Sequence, residues 1–140
     1  MIVLDTNVVS ELMRTSPSPG VVAWIEQQPP AEVRTTAVTV AEVRYGIARL
    51  PEGRRRNALR AAADEVFSVF AEQVLPFDAA AAVHYADVVT ERENAGTPIS
   101  GFDAQIAAVC RSHHARLATR NTGDFTDLGL DLVDPWSTTG

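Results

Sequence analysis

The sequence predicts an α/β protein, a three-layer α/β/α sandwich built on a mainly parallel central sheet. Three observations carry this. Short β-branched runs alternate with amphipathic stretches along the whole chain. The first run, Met1-Ile2-Val3-Leu4, is continuously apolar, as in a strand covered on both faces. It runs into Asp5-Thr6-Asn7, a carboxylate and two small polar residues of the kind that open a turn. Asp5 is thereby expected at the carboxyl end of a central strand, where open α/β sheets place their ligands.

The elements follow in order. Thr6 or Asn7 caps a helix over residues 8–14, or Asp5 itself caps it. Ser16-Pro17-Ser18-Pro19-Gly20 is a loop and helix start, with Ser18 as cap and Pro19 in the first turn. Val21, Val22, Trp24 and Ile25 make that helix short, and Pro29-Pro30 ends it. Residues 33–38 read as a second strand. Thr39-Val40-Ala41-Glu42 then reads as a capping box opening a helix that Pro51 to Gly53 breaks. Residues 54–74 form a long amphipathic helix with Leu59, Ala63, Phe67 and Phe70 inward. A short strand covers residues 74–77, and Asp78 caps a helix that carries Ala82, Val83, Tyr85, Ala86 and Val89 and stops at Gly96. Ser100 caps the next helix, in which Asp103, Ile106, Ala107 and Cys110 share one face. Residues 117–119 and 130–133 supply the last two strands.

The chain has 140 residues, enough for one domain with a real core, so residues 1–140 are expected to fold as a single unit. No window approaches the roughly 18 to 20 apolar residues of a membrane span. No basic segment precedes an apolar run, so no signal peptide is expected, and the chain is expected in the cytoplasm with no membrane partner. One cysteine, Cys110, excludes an internal disulfide and a cysteine metal cage. The net charge of −6 argues against binding nucleic acid by bulk charge. All 12 basic residues are Arg, the side chain suited to bidentate phosphate or carboxylate contacts.

The acids form a pattern. Asp5 ends a strand, Glu42 and Asp103 are each expected as the third residue of a helix, and Asp124 lies just past the fourth strand. Right-handed crossovers place strand ends and the helix starts that follow them on one edge of the sheet. Helix capping would account for Glu42 or Asp103 singly, at roughly 0.3 to 1 kcal/mol each, and a turn for Asp124. All four at one edge suggest a cleft. Two unit charges 4 Å apart repel by about 4 kcal/mol at an effective dielectric near 20. Such a cleft takes up protons or binds cations. With oxygen ligands alone, the expected cation is Mg²⁺ or Mn²⁺, suited to phosphoryl chemistry.

Four motifs, Ile2-Val3-Leu4-Asp5-Thr6-Asn7, Thr39-Val40-Ala41-Glu42, Ile99-Ser100-Gly101-Phe102-Asp103-Ala104-Gln105-Ile106-Ala107-Ala108 and Leu117-Ala118-Thr119-Arg120-Asn121-Thr122-Gly123-Asp124-Phe125, resemble PIN-domain toxins of the VapC/FitB type. The likeness runs in order over nearly the whole chain. It implies a metal-dependent endoribonuclease, the toxin half of a type II toxin–antitoxin pair. Asp5, Glu42 and Asp103 match the family's acidic triad, and Asp124 its less regular fourth acid, with Asn121 nearby. Thr6 matches the small hydroxyl residue after the first acid. On this resemblance Asp5 and Asp103 bind the metal, Glu42 binds or orients it, and Asp124 completes the pocket. The implied partners are an RNA substrate, a small DNA-binding antitoxin, operator DNA through that antitoxin, and a second copy of the chain in a homodimer.

Arg54, Arg55, Arg56 and Arg120 are candidate RNA contacts, with Arg14, Arg44 and Arg49 as further ones and a solvated helix start as the plain account of the triplet. An alternative role is that of a DNA-binding regulatory subunit acting with the antitoxin. A haloacid-dehalogenase-like phosphatase is a weaker one. That family needs a second Asp where this chain has Asn7, and a Lys, which this chain lacks. Cys110 is expected in the core, and Trp24 and Trp136 as packing or interface residues.

Overall fold

A computed structural model describes residues 1–137. Five strands form one sheet: β1 (Ile2–Leu4), β2 (Val33–Thr36), β3 (Val74–Leu75), β4 (Arg116–Ala118) and β5 (Leu132–Val133). Their spatial order is β3-β2-β1-β4-β5, and every pairing is parallel. The register sets Ile2 opposite both Val33 and Arg116, and Leu4 opposite Ala118. The helices are α1 (Thr6–Leu12), α2 (Pro19–Glu26), α3 (Ala37–Ala48), α4 (Arg54–Val69), α5 (Ala79–Asn94) and α6 (Gly101–His113).

The chain steps outward from β1 to β2 and β3. It then returns across the sheet to β4 beside β1. The order therefore reverses between β1 and β4, and a crevice opens at the carboxyl ends of those two strands.

Strand alternation splits the core into the two halves of a sandwich. Ile2, Leu4 and Ala118 pack with Val8, Val9, Val21, Trp24, Val43, Ile47 and Phe67. Val3 and Leu117 face the other way, against Val88, Ile106, Ala107 and Cys110. All three residues of β1 are buried, as expected of a central parallel strand. No described helix is long and apolar enough to cross a membrane.

Several local expectations change. Helix α1 begins at Thr6, and Asp5 is its cap. Helix α3 begins at Ala37, capped by Thr36, whose hydroxyl accepts from the Thr39 amide at 3.0 Å. Thr39 is therefore not a cap, and Glu42 is the sixth helical residue instead of the third. The reason is pairing: Thr35 and Thr36 lie opposite Val74 and Leu75, so the strand ends at Thr36 and the helix must start at once.

Helix α4 stops at Val69 because a turn, with the Gln73 amide on the Phe70 carbonyl, delivers Val74 to the sheet. On α5 the buried face is Ala81, Val88 and Arg92, while Val83 points into solvent. Arg92 is a buried cation. Its Nε donates to the Thr97 carbonyl at 2.7 Å and its Nη1 to the Asp124 carbonyl at 2.8 Å. It thereby ties the end of α5 to the 3-10 turn Thr122–Phe125.

Candidate active site

A cavity of about 500 Å³ opens where the strand order reverses. Asp5, Glu42 and Asp103 line it, with Thr6, Asn7, Glu11, Arg120, Asn121 and Trp136. Asp5 is almost fully buried and is held from both chain ends. Its Oδ1 accepts from the Thr6 amide at 2.8 Å, as a helix cap. Its Oδ2 accepts from the Thr119 hydroxyl at 2.8 Å, with Asn7 Nδ2 at 3.5 Å. Thr119 lies just beyond β4, so the parallel register of β1 and β4 makes this bond possible. Its hydroxyl oxygen also accepts from the Asn121 amide at 3.1 Å and from Asn7 Nδ2 at 3.3 Å.

Glu42 reaches the cavity from the second turn of α3. A line of threonine hydroxyls points at it. Thr36 donates to Thr39 at 3.4 Å, Thr39 and Thr6 are 3.1 Å apart, and Thr6 donates to Glu42 Oε1 at 2.8 Å. Since Thr6 gives its proton to Glu42, it accepts from Thr39, and the chain runs one way. Asp103 sits in the first turn of α6, whose cap is the Ser100 hydroxyl accepting from the Asp103 amide at 3.2 Å.

Electrostatics bind the three together. Burial pushes the Asp5 carboxyl up to about 6. The Thr119 hydroxyl and Thr6 amide oppose this, and the negative charges of Asp103 and Glu42 add to it. Burial also raises Glu42, against the Thr6 hydroxyl and with the charge of Asp103. Asp103 is raised by burial and by Asp124, while Ser100 and Arg92 pull it down. Replacing Thr6 with Val removes the hydroxyl from Glu42 and should raise that carboxyl further. A carboxyl ¹³C NMR titration reads this directly, and an unchanged Glu42 curve would mean that the hydroxyl does not hold it.

Asp124 stands apart. It lines a smaller adjoining hollow of about 220 Å³ with Arg92, Ser100 and Asp103, so Asp103 is shared between the two spaces. No three His, Cys, Asp or Glu side chains among the described residues are gathered closely enough to enclose an ion by themselves. The carboxylate oxygens of Asp5, Glu42 and Asp103 still fit Mg²⁺ or Mn²⁺, ions that keep several waters and need only one or two carboxylates.

Of the candidate arginines, Arg14 and Arg120 line the cavity. Arg55 lines a neighbouring groove between α1, α3 and α4, with Met13, Val43, Ile47 and Leu59. Arg54 is exposed at the start of α4, and Arg56 is half-buried with its Nε unbonded.

A PIN domain model matches residues 2–129. The chain belongs to the PIN-domain family, in its VapC/FitB toxin branch. It is 42% identical over 137 residues to the VapC ribonuclease Y4jK of Sinorhizobium fredii, covering 97% of this chain and 98% of that protein. The FitAcB crystal structure from Neisseria gonorrhoeae superposes with a TM-score of 0.89 at 37% identity, over 99% of this chain and 100% of that one. The structure of FitAB bound to an IR36 DNA fragment gives 0.90 at 37% identity, over 100% and 99%.

Several residues of this PIN domain's cavity went unnoticed in sequence. Glu11 is buried and lowered in pKa, first by the Ser18 amide and also by Arg14, so it is a carboxylate already satisfied by its own neighbours. Thr119 stands out only as part of a motif, and Asn7 only as a possible helix cap. Trp136 closes the cavity from beyond β5, and no local pattern points to it.

Proposed function

We propose that residues 1–140 form one PIN domain acting as a divalent-metal-dependent endoribonuclease, the toxin of a toxin–antitoxin pair in the cytoplasm. The observation that carries this is the meeting of Asp5, Glu42 and Asp103 in one cavity at the point where the strand order reverses. Asp5 and Asp103 would hold Mg²⁺ or Mn²⁺ and Glu42 would hold or orient it, with Asp124 supporting Asp103 from the adjoining hollow. Bound there, the cation would activate water and neutralise charge developing on the phosphate.

The chain's own groups do the rest. Thr119 and Thr6 orient the carboxylates of Asp5 and Glu42. Asn121 and Arg120 stand at the cavity wall, where Arg120 offers positive charge to an incoming phosphate. The raised carboxyls leave a site that gains from a cation at neutral pH.

The partner follows the FitAB likeness: a small DNA-binding antitoxin, through which a homodimer of this chain would reach operator DNA. The groove beside the cavity fits an apolar antitoxin segment, since Met13, Val43, Ile47 and Leu59 line it and it shares Thr6 and Glu42 with the cavity. The test is cleavage of RNA by purified protein. Fragments with 5′-phosphate and 3′-hydroxyl ends should form with Mg²⁺ or Mn²⁺ and disappear in chelator. Intact RNA with either metal, or equal cutting in chelator, would overturn the reading.

A further inference from the structure

We propose that Arg120 and Trp136 form a stacking subsite for one unpaired nucleobase beside the acidic cavity. This rests on the ribonuclease reading and specifies how that site would hold its strand.

The guanidinium carbon of Arg120 lies 5.0 Å from the centroid of the Trp136 ring. Both residues line the same cavity as Asp5 and Asp103. Trp136 is anchored from behind. Its ring packs on the core beneath α1 to α4, and its amide donates to Asp134 Oδ1 at 2.9 Å. Arg120 is anchored at its backbone, where its amide donates to Asn7 Oδ1 at 3.2 Å. The same Asn7 contacts Asp5 and Thr119, so platform and carboxylates share one support.

The Arg120 side chain differs from the cavity's other arginine, Arg14. Arg14, Arg44, Arg111 and Arg116 are each paired with a carboxylate. Arg120 is exposed and forms no ion pair among the described residues, although it lines an acidic cavity. Its contact is an aromatic face. A guanidinium over an indole keeps its in-plane N–H groups free, and cation–π attraction holds it at little further entropy cost. Single-stranded bases stack on aromatic rings and on Arg planes alike. An acidic protein cannot hold a strand by bulk charge, so a stacking contact near the site supplies affinity that a −6 surface does not.

The probes are adenosine 5′-monophosphate and ribose 5-phosphate, which share a phosphate and differ by the base. With Mg²⁺ present, adenosine monophosphate should quench tryptophan emission in a saturable way. Ribose 5-phosphate should cause no quenching and bind roughly 10-fold more weakly by calorimetry. Trp24 is buried in the core and provides the unquenched background. Trp136→Phe should abolish the quench yet keep calorimetric binding, because a phenyl ring still stacks.

Arg120→Lys keeps the charge and loses the plane, so adenosine monophosphate should bind it only as well as ribose 5-phosphate does. Equal binding of the two probes to the wild type, or no binding of either, would overturn the subsite. So would wild-type affinity in Arg120→Lys, which would make Arg120 a phosphate clamp. The outcomes separate from the parent reading. RNA cleavage without base-dependent binding removes only the subsite. Base-dependent binding without RNA cleavage removes only the ribonuclease.

Discussion

Asp103→Asn is expected to lower RNA cleavage by about 10³-fold or more, with the protein still folded. Losing an anionic ligand removes several kcal/mol of charge stabilisation in a metal-assisted displacement, and each 1.36 kcal/mol is about tenfold in rate. The fold should tolerate the change. The α6 cap uses the Asp103 backbone amide, which Asn keeps. The lost charge also relieves repulsion with Asp124 and Asp5. Asp5→Asn should behave alike, since Asn is as good a cap as Asp. Asp124→Asn should be milder, because Asp124 lies outside the main cavity. Activity within tenfold of wild type in Asp103→Asn, measured on protein with an unchanged circular dichroism spectrum, would rule out the acidic cavity as the site of cleavage.

In chelator, the protein should lose stability as pH rises from about 4 to about 6. The sign follows from Asp5. Its pKa is 3.8 in the ordinary case and about 6 in the folded chain, so the native state binds the proton more tightly. Within that window the unfolded chain is ionised while the folded one is still protonated, and stability falls with pH. A shift of about two units corresponds to roughly 3 kcal/mol. Glu42 and Asp103 push in the same direction.

Glu11 acts oppositely: its lowered pKa gives stability that is lost only as pH falls below the ordinary carboxylate range. Millimolar Mn²⁺ should therefore raise the melting temperature at pH 7 and do little at pH 4.5, where protons occupy the same oxygens. Asp5→Asn should flatten the slope between pH 4 and 6. A melting temperature in chelator that stays level or rises across that window, with no Mn²⁺ effect at pH 7, would contradict the carboxylate cluster.

Some of this was legible in the sequence because the relevant forces are local. Three apolar residues ending in Asp5 mark a buried strand and its edge, and Ser100 three residues before Asp103 marks a helix start. Glu42 was found but misplaced. Thr36 and Thr39 are both good caps, and the choice is made by β2 pairing with β3 some forty residues away. The Asp5–Thr119 bond depends on strand register, which no local pattern encodes. The direction of the Arg54 to Arg56 run is set by how α4 packs: none of the three lines the cavity, and Arg55 lines the groove beside it. Arg120, a single residue in a turn, lines the acidic cavity with Arg14.

The bond between Asp5 and Thr119 spans 114 positions, and this has a bearing on synthesis. A ribosome delivers Asp5 first, but β4, one of the two strands beside β1, and the hydroxyl that fixes its acid emerge only from residue 116 onward. At roughly 5 to 20 residues per second, that is an interval of about 6 to 23 seconds. Throughout it, the nascent chain holds the first acid without β4 and the Thr119 hydroxyl. Asp103 also waits, since α6 packs on β4 and on the turn that follows. Truncated products from a broken message would carry Asp5 and Glu42 and still lack a closed cavity. Assembly from both ends thus makes the closed acidic cavity a property of the nearly finished polypeptide.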